Sequence, residues 1–245
     1  MNVLKNIFAR IWAVWGLLSF ITTFLIIFLP AMLAYIIPDP AGQVYFIRLS
    51  KYWMNVWLFL IGCPVKVTGT ENFKPGETYV VVFNHNTLLD VPLSCPYVPG
   101  PNKTIAKLSF AMIPVFGWFY RKGTVLVDRK SEKSRIKSFE DMKGVLAMGF
   151  HMCIYPEGTR NRTSEPLKAF YDGAFKLAVT TGKAIMPSVI LGTKIAMPVN
   201  KTFYLLPVRL RMHFMPAVQA EETEVKELKE GVYGMMKEYY VRESR

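Results

Sequence analysis

Hydrophobic and polar positions follow two different regimes along this chain. From Ile11 to Pro38, between Arg10 and Asp39, there is no charged residue over 28 positions. At about 1.5 Å per helical residue such a run crosses a hydrocarbon core of roughly 30 Å even when tilted, and it is too long for the apolar part of a signal peptide. No charge breaks it on any helical face, which argues against a buried helix of a soluble protein. Pro30 interrupts the run. A second, more amphipathic apolar stretch spans 44–61, where Tyr45, Tyr52, Trp53 and Trp57 stand among Arg48 and Lys51, a composition suited to a membrane interface. Two geometries fit: a transmembrane helix followed by an interfacial helix, or a helical hairpin that enters and leaves by one leaflet. Lys5 and Arg10 precede the run, while Arg48, Lys51 and a basic remainder follow it. By the positive-inside rule both ends are then cytoplasmic, which favours the hairpin.

From about Val65 the pattern changes to short apolar runs of strand length separated by helical periodicity, the signature of an α/β domain. Strands are predicted over 78–83, 124–127, 153–155, 185–190 and 208–214. The last alternates Val208, Leu210, Met212 and Phe214 with Arg209, Arg211 and His213, as a strand with one exposed face does. Helices are predicted over 134–148 and 222–240, and a third from an Asp172 cap through Val179 to Gly182. The fold expected is a mixed sheet flanked by helices, preceded by a membrane-embedded hairpin. Residues 1–62 form the anchor and 63–245 the α/β domain.

Composition sharpens this in two respects. A formal charge of +12 calls for an anionic partner, and the apolar run selects a membrane surface over nucleic acid, for which no zinc-finger or RNA-binding signature is present. The three cysteines, Cys63, Cys95 and Cys153, are too dispersed to pair or bind metal and read as buried thiols in a reducing compartment. His151 shares one strand face with Cys153, and His213 stands apart; both read as structural. No metal site is expected from such scattered ligands.

Three segments carry candidate chemistry. The strand Val80-Val81-Val82-Phe83 runs into Asn84-His85-Asn86-Thr87-Leu88-Leu89-Asp90, where Asp90 can take the proton-bearing imidazole nitrogen of His85 and leave the other as a base. His-x4-Asp alone is equally a strand-end histidine with a capping carboxylate. Gly123 leads a strand that ends in Asp128 and Arg129, by itself an ordinary turn or ion pair. In Tyr155-Pro156-Glu157-Gly158-Thr159-Arg160, Pro and Gly force a tight turn after a buried strand, so that backbone amides, a hydroxyl and a guanidinium converge as a phosphate requires.

In order and spacing these blocks resemble the four motifs of the glycerolipid acyltransferase family, which includes the lysophosphatidic acid acyltransferases. The His-x4-Asp block falls on His85 and Asp90, the Gly-plus-Arg block on Gly123 and Arg129, the Pro-Glu-Gly-Thr-Arg block on Glu157, Gly158, Thr159 and Arg160, and the final apolar-Pro block on Ile185-Met186-Pro187. Lys107, ahead of Pro114 and Gly117, falls where the family places a basic residue. The likeness covers roughly residues 65–215. Tyr155 stands where Phe is usual, Asn161 where Ser is usual, and Met-Pro-Ser-Val replaces Val-Pro-Val.

The resemblance implies an enzyme that moves a fatty acyl group from acyl-CoA or acyl carrier protein, as co-substrate and without a cofactor, to the free hydroxyl of lysophosphatidic acid. His85 and Asp90 would be catalytic, and Lys107, Gly123, Arg129, Glu157, Gly158, Thr159 and Arg160 would bind substrate. It implies an inner-membrane protein whose active domain faces the cytoplasm. Rival readings are another acceptor, glycerol-3-phosphate or a lyso-aminolipid, and a non-catalytic lipid-binding protein; the intact His85, Asp90 and Glu157 weigh against the latter.

Overall fold

The computed structural model describes residues 2–244. Seven strands form one sheet in the order β1-β7-β6-β2-β5-β3-β4, with β1 Val65–Thr68, β2 Val80–Phe83, β3 Asn102–Lys107, β4 Thr124–Val127, β5 His151–Ile154, β6 Ile185–Leu191 and β7 Leu210–Phe214. β6, β2, β5, β3 and β4 are mutually parallel; β7 runs antiparallel to β6 and parallel to β1. The sheet is mixed, as expected.

The run Val80–Phe83 is buried throughout because both faces of β2 are covered. Val81 and Phe83 enter one apolar core, Val80 and Val82 the other. The second core is closed by α5 Glu132–Ala147, α6 Gly173–Thr181 and α8 Val225–Glu243. α5 starts where the Ser131 hydroxyl accepts from the Ser134 amide at 3.2 Å, a cap that stabilises by about 1 kcal/mol. The Asp172 carboxylate makes no such cap; it pairs instead with Lys229 at 2.6 Å and ties α6 to α8. Gly182 ends α6 at φ 61°, as its position in the sequence suggests.

The first core is covered by α1 Asn2–Met32, α2 Ala41–Leu60 and the short α3 Asp90–Ser94. α1 and α2 run antiparallel. The Trp12 indole donates to the Ile61 carbonyl, Trp57 to Gly16, Trp53 to the Thr23 hydroxyl, and the Tyr45 hydroxyl to the Pro30 carbonyl. Small residues at helical spacing, Ala9, Ala13, Gly16 and Ser19, let the backbones approach. α1 touches the rest of the chain near both ends: Leu205 N–H donates to the Ala9 carbonyl, and Phe24 packs edge-on to Phe116 and Phe119. Its opposite face, Leu4, Ile11, Leu18, Ile21, Leu25 and Leu29 among others, is exposed and, beyond Arg10, apolar apart from Thr22. The helix is long and apolar enough to cross a membrane.

Two strands escape the sequence pattern. β1 is a short edge strand with both exposed positions polar, and β3 buries Asn102 and Thr104 where a core strand would carry aliphatic side chains. The remaining short helices are α4 Phe116–Lys122 and α7 Thr193–Ala196.

His151 opens β5 and is buried, its Nδ1 accepting from the Tyr79 amide at 3.1 Å and its ring stacked on Tyr79. Burial pushes its pKa down from 6.5 to about 4. A depressed folded-state value means that the unfolded chain takes the proton first, so stability present above about 6.5 is lost as pH falls towards 4. The loss is about 3 kcal/mol. His151→Asn keeps an acceptor and does not titrate. Urea unfolding of detergent-dispersed protein is expected to show that the variant's stability falls less over this pH window than the native chain's; parallel pH curves would exclude His151 as the group responsible.

Candidate active site

The carboxyl ends of the five parallel strands open on one side of the sheet, and ligands of open α/β sheets collect at such an edge. His85 follows β2 there, Lys107 ends β3, Arg129 lies two residues beyond β4, and Tyr155 to Arg160 follow β5. Residues up to 75 positions apart in sequence thus face one another because their strands are parallel.

The centre of the site is His85. Its Nδ1 lies 2.9 Å from Asp90 Oδ2. A carboxylate only accepts, so Nδ1 carries the proton, and in the neutral imidazole the free lone pair is then on Nε2. Asp90 is completely buried at the first position of α3, and the same Oδ2 accepts from the Asn86 and Thr87 amides at 2.5 and 2.7 Å. Three donors on one oxygen fix the carboxylate, and through it the ring.

The backbone of His85 is held as firmly. Its amide donates to Glu157 Oε1 at 2.7 Å, and its carbonyl accepts from the Asn161 amide at 2.7 Å. Glu157 Oε2 accepts from the Lys168 amide at 3.0 Å. Glu157 is completely buried, and its pKa is pushed up to about 6 by burial, against the two amide hydrogen bonds that favour the carboxylate. The turn that presents it needs Gly158: at φ 69°, a Cβ there would lie 2.7 Å from the Tyr171 ring.

Sequence reading left four contributors unassigned. Asn84 bonds both ways to Ile190, Nδ2 to its carbonyl at 3.0 Å and Oδ1 from its amide at 2.7 Å, clipping β2 to β6 just before the histidine. Tyr155 lies with its ring 4.6 Å from that of His85 and shares a hydrogen bond of 2.5 Å with Ser94 at the end of α3. The Asn161 side chain organises residues 163–166. The Lys168 ammonium donates to the Thr159 hydroxyl at 2.7 Å. Asn84 and Tyr155 were legible as polar groups bordering the motifs; nothing in the sequence marked Lys168.

Of the candidate phosphate ligands, Arg129 and the 157–160 turn are brought together, the guanidinium donating to the Gly158 carbonyl. Arg160 is half-buried beside them, and Lys107 is exposed at the same end of the sheet. Gly123 is not brought to them. It precedes β4 at the opposite end, where its carbonyl accepts from Thr104 and a Cβ would press on the Phe46 ring of α2 at 2.9 Å. Its position is explained by packing of the hairpin. Cys63 and Cys153 are buried as expected, whereas Cys95 is partly exposed.

A family profile described as Acyltransferase matches residues 64–191. A 1-acyl-sn-glycerol-3-phosphate acyltransferase of Chlamydomonas reinhardtii is 33% identical over 166 residues, 65% of this chain and 49% of that protein. The chloroplastic enzyme of that name from Arabidopsis thaliana is 26% identical over 84% of this chain and 57% of its own length. The chain therefore spans about half the length of these curated relatives. The crystal structure of the lysophosphatidic acid acyltransferase PlsC from Thermotoga maritima superposes with a TM-score of 0.80 at 22% identity, covering 100% of this chain and 99% of that one.

Proposed function

The chain belongs to the acyltransferase family, matched across the β1-to-β6 region that holds the site, and from that premise we propose that it transfers a fatty acyl group from an acyl thioester to the hydroxyl of lysophosphatidic acid, giving phosphatidic acid. The observation that carries the proposal is the His85–Asp90 pair, its ring fixed by the 2.9 Å bond between Nδ1 and Oδ2. Nε2 takes the proton of the acceptor hydroxyl as its oxygen attacks the thioester carbonyl. The carbon–sulfur bond breaks, the proton passes from the imidazolium to the departing thiolate, and the carrier leaves as free thiol. The nucleophile comes from the substrate, so no covalent acyl-enzyme forms. Asp90 stabilises the imidazolium, while Glu157 and Asn161 keep the histidine backbone from shifting.

Arg129, Arg160 and Lys107 supply positive charge at one edge of the site and suit the phosphate of the acceptor. The hairpin keeps the protein at the cytoplasmic face of a bilayer, where that acceptor resides, and the thioester is carried by coenzyme A or acyl carrier protein. The direct test is purified protein in detergent, offered labelled acyl-CoA or acyl carrier protein with a panel of lysolipids. Acylation of glycerol-3-phosphate or a lyso-aminolipid in preference to lysophosphatidic acid would redirect the assignment.

The phosphate contacts make a further expectation. Lysophosphatidic acid should be strongly preferred over the matching monoacylglycerol, and Arg129→Ala and Arg160→Ala should each shrink that preference by about 10- to 100-fold, the range for a hydrogen bond to a charged group. Arg160→Lys keeps the charge without the bidentate fork and should restore only part of it. An unchanged ratio in both alanine variants would place the phosphate elsewhere.

A further inference from the structure

Outside the site and the hairpin, one surface is out of keeping with a water-facing domain. Between β3 and β4 the chain carries Leu108, Phe110, Met112, Ile113, Val115 and Trp118, all exposed, Met112 by 70% and Trp118 by 61%. Exposed apolar residues scattered singly are ordinary, but six within eleven positions on one protrusion are a patch.

This protrusion is built, not slack. Val115 sits at φ 64° and ψ −56°, a backbone conformation a β-branched residue rarely adopts, and the Phe116 amide donates to the Pro114 carbonyl at 2.6 Å across it. The turn costs on the order of 1–3 kcal/mol. Its effect is to hold an apolar side chain outward. At its base the chain closes on itself: the Arg121 guanidinium donates to the Ala111 carbonyl at 3.2 Å, and a Cβ on Gly117 would lie 2.3 Å from that oxygen.

The patch is continuous with the exposed face of the hairpin. Trp118 stacks on Phe28 of α1, and its carbonyl accepts from the Tyr35 hydroxyl at 2.7 Å. Leu25, Leu29, Leu33 and Ile36, all exposed, extend the same surface. The exposed charge that flanks it in sequence is basic: between Asp90 and Asp128 there is no acidic residue, and Lys107 and Arg121 stand exposed on either side, whereas Lys122 is buried and paired with Asp39 at 3.1 Å. An apolar tip with a basic collar complements acyl chains beneath anionic headgroups, where each Lys or Arg near the surface contributes about 1 kcal/mol.

We propose that residues 108–118 are a second bilayer-inserting element, a rigid apolar knuckle that seats the open end of the catalytic sheet on the same leaflet as the hairpin. This rests on the membrane attachment proposed above and goes beyond it. Two attachments, one along α1 and one beside the end of β3, fix the tilt of the domain, where the hairpin alone would leave it free to rock.

The test uses the full chain in vesicles of phosphatidylethanolamine and phosphatidylglycerol carrying nitroxide groups on their acyl chains. A polarity-sensitive fluorophore is attached in turn to Met112→Cys, to Ile21→Cys on the outer face of α1, and to Lys137→Cys on α5, with labelled native protein as background. Quenching at 112 and 21 but not at 137 is expected. Quenching at 21 with none at 112 would overturn the knuckle and leave the hairpin reading standing; no quenching at either would overturn both. Protection of 112 accompanied by cross-linking to a second copy would assign the patch to self-association instead. In parallel, Met112→Asp combined with Ile113→Asp should lower acyl transfer to vesicle-embedded acceptor by at least about tenfold, since two large apolar side chains leave lipid. Transfer to a short-chain, water-soluble acceptor should be unaffected. Equal losses on both acceptors would overturn the proposal.

Discussion

Replacing His85 with alanine is expected to lower turnover by roughly 10²–10⁴-fold, the range that a positioned general base contributes. The fold should survive the change. Asp90 retains the amides of Asn86 and Thr87 on the same oxygen, and Glu157 and Asn161 hold the backbone of residue 85 whatever its side chain. What is lost is the imidazole nitrogen proposed to take the proton of the acceptor hydroxyl. Binding of the lysolipid should change little, because the phosphate ligands proposed lie on other loops. Single-turnover transfer of a labelled acyl group, beside lysolipid binding and circular dichroism, separates these effects. Near-native rates in a well-folded variant would remove His85 from the chemistry and leave the general-base mechanism without a base.

Asp90→Asn is expected to be nearly as damaging, by about 10²-fold or more, for a different reason. The amide oxygen can occupy the Oδ2 position and still accept from the imidazole and both amides, so shape and tautomer are kept. The charge that stabilises the imidazolium during proton transfer is lost. The loss should appear in turnover and not in the apparent affinity for either substrate, since Asp90 is completely buried and touches neither. An equal rise in KM would mean instead that the 84–90 loop had shifted and that the carboxylate's role is mainly architectural.

The pair was legible in the sequence because its two members lie five residues apart on one loop, and a strand-end histidine followed by a carboxylate can close locally. Glu157 was legible as a member of its turn but not in its role. That it accepts from the His85 amide depends on β5 lying beside β2, a pairing set by long-range packing. Asn84 reaching across to Ile190 is the same kind of fact. Gly123 shows the converse. Its spacing from Arg129 matched a motif, yet spacing along a strand does not say which end faces the ligand, and β4 carries the two residues to opposite ends of the sheet. β3 was missed because Asn102 and Thr104 satisfy their polar groups inside the core, Asn102 by donating to the Cys95 carbonyl and Thr104 to that of Cys153. Burial achieved through hydrogen bonds leaves no hydrophobic periodicity to read.

The bond from the Leu205 amide to the Ala9 carbonyl also orders events in time. During synthesis at about 5–20 residues per second, α1 leaves the ribosome some 10–40 s before the segment that secures its first turns. Through that interval its apolar stripe and its outer face are both uncovered, and α2 is the one partner that follows promptly. A helix in that condition either enters lipid or aggregates. Under the membrane attachment proposed above, the nascent chain would have to reach a bilayer before the catalytic sheet is complete.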